Sequence, residues 1–391
     1  MRRCVWAFAF AAIGCEGLIG ADFGHGNAQD QVDASGADEG GALADGATDV
    51  GNTSRDGSTA GKDAGSTKKD SGGGGGGGGD SGACRPLVVP CLDLSDPKVI
   101  EVPTNGTMQN AIMNVKAGGT IQINGASLGS GWRIPAFVTL HGCNGAKIVG
   151  SIGAAGSGAV FEGFDVPGSI VLNQTGVFVV RWNRFDGNTT DPGVSARSID
   201  ALVSASVTAT VEQNEFADRP AGITVDTAYD TMTHSVDVTV QNNLFHGVAA
   251  PIVASRGGLV GKITSKFLHN TLTGFTTGMA LYSLQDTPTV AGNVFANGTN
   301  AVNGDSPFNL SNDLLFMCGA GTATPLGGAF ASGDPKLVDA TNGDLHLGAG
   351  SDALDRVPPG SLLPSKDYAG CPRPVGHGGA VLGDIGAYEA P

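Results

Sequence analysis

Five times in succession the chain writes one phrase, and nothing else in it narrows the possible folds so far. Val180, Asn183 and Phe185; Val211, Asn214 and Phe216; Val240, Asn243 and Phe245; Phe267, Asn270 and Leu272; Val290, Asn293 and Phe295 share one spacing. The Asn-to-Asn steps are 31, 29, 27 and 23 residues. Self-similarity at such a period belongs to solenoids, whose units bury their apolar faces only when stacked.

Positions three and five before each Asn are Val180 and Phe178, Val211 and Ala209, Val240 and Val238, Phe267 and Ser265, and Val290 and Pro288. This period-two alternation predicts strands with those residues facing inward. The residue two after the Asn is Phe, Phe, Phe, Leu and Phe in turn, which predicts an internal column. Asn repeated at one turn predicts side-chain amides hydrogen-bonded up the stack at about 4.8 Å, the strand spacing, so these Asn residues read as structural. Further segments rich in Val, Ile, Phe and Thr lie at 136–140, 147–149, 159–164, 169–172, 176–180, 207–211, 236–240, 261–267 and 289–290, separated by Gly, Asn, Asp and Ser. Ahead of them Thr107 can cap a helix running to Lys116, with Met108, Ile112 and Val115 on one face and Gly118 and Gly119 as its stop. A helix placed there covers the open end of an apolar core. The expected class is all-β: a single-chain parallel β-helix of about three strands to a coil, with a short N-terminal capping helix and a disordered N-terminal tether.

The helix, the strand at 120–123 and the Asn ladder resemble the right-handed parallel β-helix of the pectate-lyase-like superfamily over roughly residues 100 to 320. The C-terminal stretch carries a second resemblance. Asp334 to Asp339, Gly343 to Leu347, Gly350 to Asp355, Cys371 to Pro374 and Asp384 to Glu389 are similar to the terminal region of choice-of-anchor Q surface proteins. In that family the region closes the β-helix and a sorting signal can follow; none follows Glu389 here, which places the expected anchor at the N-terminus. The division implied is 1–15 signal, 16–82 linker, 83–333 β-helix and 334–391 closing region.

Arg2 and Arg3 followed by an apolar stretch from Val5 to Ile13 read as an export signal too short to span a bilayer. Ala12 to Cys15 resembles a bacterial lipoprotein box, so Cys15 is the expected lipidation site, with ordinary cleavage as the alternative. Residues 16–82 hold 12 acidic and 4 basic residues, almost no large apolar ones and the run Gly72–Gly79. Such a segment cannot collapse, and as a flexible coil it spans roughly 45 Å. A net charge of −15 argues against a phosphate-tracking groove, and so against nucleic acid as a partner. The expected localisation is the cell envelope, outer membrane or cell surface, as a monomer held to the membrane through its lipid. Export permits disulfides. Cys84 with Cys91, flanking a Pro-bounded loop, is the first expected pair and Cys318 with Cys371 the second, leaving Cys143 as a buried thiol.

On such a fold, outward residues form rows, one per coil. Two before the ladder Asn come Arg181, Glu212, Gln241, Leu268 and Ala291; four before, Val179, Thr210, Thr239, Lys266 and Thr289; six before, Val177, Thr208, Asp237 and Thr264; one before, Trp182, Gln213, Asn242 and His269; three after, Asp186, Ala217 and His246. Abstracting a proton beside a uronate carboxylate needs a cation to neutralise it and a base within reach. Lys266, His269 and Arg181 are the candidate catalytic set. Trp182, Glu212, Asp237 and His246 are candidates for substrate contact, with Asp237 a possible calcium ligand. No cluster of neighbouring acids favours calcium, and no His pair favours zinc. Arg181 beside Glu212 also reads as a surface ion pair worth at most about 1 kcal/mol. Asn188 to Asp191 and Gly376 to Gly378 echo polygalacturonase fragments without the paired Asp such an enzyme needs, and Asp218 to Pro220 reads as a turn. The expected function is recognition of extracellular polysaccharide, with lyase or hydrolase action on acidic polysaccharide and a structural envelope or adhesin role as alternatives.

Overall fold

A computed structural model describes residues 89–102, 106–187, 191–198, 206–227, 234–257, 261–360, 362–373 and 382–390. The expected signal at 1–15 with Cys15, the expected linker at 16–82 and Cys84 lie outside them. The described residues all belong to one compact unit within Gly76–Pro391.

The chain is a parallel β-helix. An eleven-strand sheet, a seven-strand sheet and an eight-strand sheet run side by side, each taking one strand from successive coils. In the coil that begins at Ser206 the three strands are Ser206–Glu212, Glu215–Ala217 and Ala221–Thr227. Each pairs in parallel with its counterpart a coil later, at Ser235–Gln241, Leu244–His246 and Ala250–Arg256. Alternation along the first sheet matches the expected parity: Phe178 and Val180 face inward and are fully buried, while Val177, Val179 and Arg181 point out.

The corner between the first and second sheets explains the repeated phrase. Trp182, Gln213, Asn242 and His269 all take positive φ, between 52° and 57°, so the chain bends sharply at one residue. The following Asn then locks the bend. Asn183 Nδ2 donates to Asn214 Oδ1 at 3.1 Å, Asn214 to Asn243 at 3.1 Å, Asn243 to Asn270 at 3.0 Å and Asn270 to Asn293 at 3.0 Å. The same oxygens accept the main-chain N–H of the preceding rung. Each Nδ2 also reaches a carbonyl one coil back, as Asn214 does to Val180. Two residues on, Phe185, Phe216 and Phe245 stack with centroids 4.6 and 4.7 Å apart, and the column continues through Leu272 and Phe295.

A sixth rung was hidden by its chemistry. Asp313 stands where an Asn would and accepts from the N–H and Nδ2 of Asn293 at 2.7 and 2.8 Å. Its Oδ2, in the place of the amide nitrogen, has no hydrogen-bond partner among the described residues. Full burial pushes its carboxyl up to about 7, against the pull of the Asn293 bonds.

The helix forms at Met108–Asn114, with Thr107 Oγ1 accepting from Asn110 N, and Met108 and Ala111 join the core as its cover. The disulfides differ from expectation. Cys91 pairs with Cys143 across 52 residues, Cα to Cα 5.2 Å, rather than with Cys84. Cys318 is free, and Cys371 is disulfide-bonded elsewhere. Proximity in sequence misled here because a loop brings Cys91 back over the first sheet, where Cys143 ends the strand Thr139–Cys143. The C-terminal region lies along the flank of the stack. Ala353, Val357 and Ile385 pack on Val294, Ala296 and Leu314, and Leu345, Ala387 and Tyr388 pack on Leu244.

Candidate functional site

The last outward position before the corner carries one polar row across seven strands. Glu101, Gln122, His141, Glu162, Arg181, Glu212 and Gln241 stand in strict register. The row then turns apolar at Leu268 and Ala291. Strand spacing sets these rungs about 4.8 Å apart, close enough for each side chain to reach the next.

They do reach. His141 Nδ1 bonds Glu162 Oε1 at 2.8 Å, and Arg181 Nε donates to Glu162 Oε2 at 2.8 Å. The pairing expected between Arg181 and Glu212 holds in register, but the guanidinium turns back to Glu162. Burial pushes the Glu162 carboxyl up; the His141 hydrogen bond and the Arg181 charge outweigh it and hold the group below its ordinary range. Glu162 is therefore a fixed anion. Glu212 accepts from Gln241 Nε2 at 2.8 Å through Oε2, leaving Oε1 without a partner among the described residues. Arg181 also covers one face of Trp182, its Cζ 4.3 Å from the ring centroid, and Trp182 Nε1 donates to Gln213 Oε1 at 3.0 Å.

Two segments rise over this floor. On one side residues 89–92 cross the row: Leu92 N donates to Gln122 Oε1 at 2.6 Å and Pro90 O faces His141 Nε2 at 3.0 Å. The Cys91–Cys143 bond ties this arm down. On the other side Gln213 Nε2 donates to Asp367 O at 2.8 Å and Asn242 Nδ2 to Lys366 O at 2.7 Å, which fixes residues 364–370 along the corner. Between them lies a cleft of about 600 Å³, floored by Glu162, Arg181, Glu212 and Gln241, edged by His141 and walled by Val89, Pro90, Leu92, Pro364, Ser365, Lys366 and Gly370. That volume falls within the range of about 300–1,000 Å³ typical of small-ligand sites.

Of the candidates read from the sequence, Arg181, Trp182 and Glu212 line this cleft. His269 does not. It is fully buried under the C-terminal region, where Arg373 Nη1 meets its Nδ1 at 3.0 Å. Burial and the facing Arg373 hold His269 well below its ordinary range, so it stays neutral and closed to substrate. Lys266 is exposed on another row, three strands from Arg181, or about 14 Å along the stack. Asp237 is exposed between Thr208 and Thr264. His246 sits on the second sheet and bonds Glu215 at 2.9 Å. The set Lys266, His269 and Arg181 is therefore not assembled. Among the described residues no three His, Cys, Asp or Glu side chains converge as a metal site. Arg219 is buried and donates to the carbonyls of Val166, Gly168 and Asp191, as suits a corner brace.

His141, Glu162 and Lys366 escape a reading of the sequence alone. The coils of the first two lack the ladder Asn from which rows are counted, although Leu140–His141 and Phe161–Glu162 each show an inward apolar residue followed by an outward polar one. Lys366 arrives from a region distant in sequence and carries no signal. Chemically, the cleft offers a fixed anion, a carboxylate with an open oxygen, an arginine fork with an open Nη1 and a lysine at the rim. Glu162 itself, kept ionised between His141 and Arg181, is not placed to donate a proton. Comparison of the chain with protein-family models, with curated proteins and with solved structures finds no match.

Proposed function

We propose that this is a lipid-anchored cell-envelope β-helix protein whose cleft recognises extracellular polysaccharide without turning it over. The observation that carries the reading is the floor Arg181–Glu212–Gln241 beside Trp182: open donors and acceptors at strand spacing in a groove of ligand size. Repeated hydroxyls are the ligand groups that suit alternating carboxylate, amide and guanidinium partners, each able to donate to one and accept from another. Export, lipidation at Cys15, the 16–82 tether and the choice-of-anchor Q resemblance of the C-terminal region supply the setting. Hydrolysis of the same ligand has less support because Glu162 is an anion locked between His141 and Arg181.

A glycan array followed by titration tests this with the full chain. Binding of at least one extracellular polysaccharide is expected, with Glu212→Gln weakening it about tenfold, the size of one hydrogen bond to a charged group, and Trp182→Ala weakening it through the loss of an aromatic face. Pectate and alginate are expected to show no rise in unsaturated-uronate absorbance. Failure to bind any glycan, or full binding by both variants, overturns the reading.

A further inference from the structure

The polar row does not end where the cleft ends. Gln122 and His141 occupy the same outward position and register as Glu162, Arg181 and Glu212, but the arm 89–92 lies on them. We propose that these two residues are further subsites for the same saccharide and that the arm is a strap that closes them; this rests on the reading of the cleft given above.

Three observations support it. The arm meets the floor through main-chain groups, a carbonyl facing His141 and an N–H donating to Gln122, and a sugar hydroxyl supplies that same pair of functions. Among the described residues no hydrogen bond between main-chain groups joins 89–92 to a strand, in contrast to the laddered strand Val99–Val102 just beyond. Among the described residues the strap's covalent tie is Cys91 to Cys143. Among the described residues lifting it breaks no ladder, only the hydrogen bonds of Leu92 N to Gln122, His141 to Pro90 O and Asn144 Nδ2 to Cys91 Sγ, as suits a segment that opens locally. Opening would uncover His141, which now only edges the cleft, and add the Gln122 rung beyond it, about 5 Å further along the floor.

The test removes the tie with Cys91→Ser and Cys143→Ala together in the full chain. Diethyl pyrocarbonate labelling of His141, read by peptide mass, is expected to rise about tenfold. Affinity for oligosaccharides cut from the polysaccharide that binds is expected to keep rising with length, where the parent reaches a plateau. His141→Gln added to the double variant is expected to cancel most of that gain. Unchanged His141 labelling in a folded double variant overturns the strap. Labelling that rises while the plateau stays at the parent's length overturns the subsites alone, and no binding by either protein overturns the reading of the cleft. Should the double variant lose its cooperative unfolding transition, Leu92→Asp, which keeps the disulfide, is judged by the same labelling and length series.

Discussion

At the scale of single residues, Asp313 is the position where the structure departs most sharply from its own pattern. Every other rung presents an amide nitrogen to main-chain carbonyls; Asp313 presents Oδ2, which has no partner among the described residues. A proton on that oxygen would restore a donor, consistent with a carboxyl raised to about 7. The unfolded group titrates near 3.8 and the folded one near 7, so between these values only the folded state keeps the proton and stability falls as pH rises. Asp313→Asn is expected to flatten that fall and to raise stability at pH 8 by about 1–3 kcal/mol, less than the full linkage in which each tenfold difference in proton affinity is worth about 1.4 kcal/mol. Urea unfolding at pH 5 and pH 8 checks it; an equal slope in parent and variant would remove Asp313 as the cause.

At the scale of elements, the clamp between the C-terminal region and the corner is the least legible part of the molecule. Arg373 Nη1 bonds the Asp384 carbonyl as well as His269, Nη2 bonds Gly386 O, and Glu389 lies 3.4 Å away. A row count could place His269 at the corner but could not know that a residue 104 positions later would bury it. The clamp responds to acid. Undocked, His269 titrates near 6.5; docked, burial and Arg373 keep it neutral, so docking weakens as pH falls below about 6.5. Burial raises Asp367 as well, which acts in the opposite direction above its unfolded value near 3.8. His269→Gln keeps an acceptor for Arg373 and removes only the first effect. The parent is expected to lose about 1–2 kcal/mol relative to this variant between pH 7.5 and pH 5. Differential scanning calorimetry at the two pH values reads the difference, and parallel losses in both proteins would count against the histidine.

At the scale of the whole molecule, the first sheet is written plainly in the chain, and the third largely is not. Strands such as Ser206–Glu212 alternate cleanly and precede an Asn that marks their end. Ala221–Thr227 and Ala250–Arg256 begin with small residues or proline and follow no fixed marker, so counting from the ladder passes over them. The site divides in the same way: Arg181, Trp182 and Glu212 can be reached from the Asn ladder, whereas the cleft walls come from the two ends of the described chain. The C-terminal wall belongs to a region whose own contribution to the fold can be measured. Each coil contacts its neighbours, so the stack is stabilised rung by rung and needs no distant segment to define it. Removing residues 334–391 would nonetheless uncover Leu244, Val294, Ala296 and Leu314, all buried in the intact chain. Stripping a contiguous apolar surface creates an association site rather than an unfolded coil. The truncated chain is expected to keep its β circular dichroism, to bind an apolar dye more strongly and to self-associate in a concentration-dependent manner by analytical ultracentrifugation. Loss of the β spectrum would instead make the C-terminal region part of the folding unit itself.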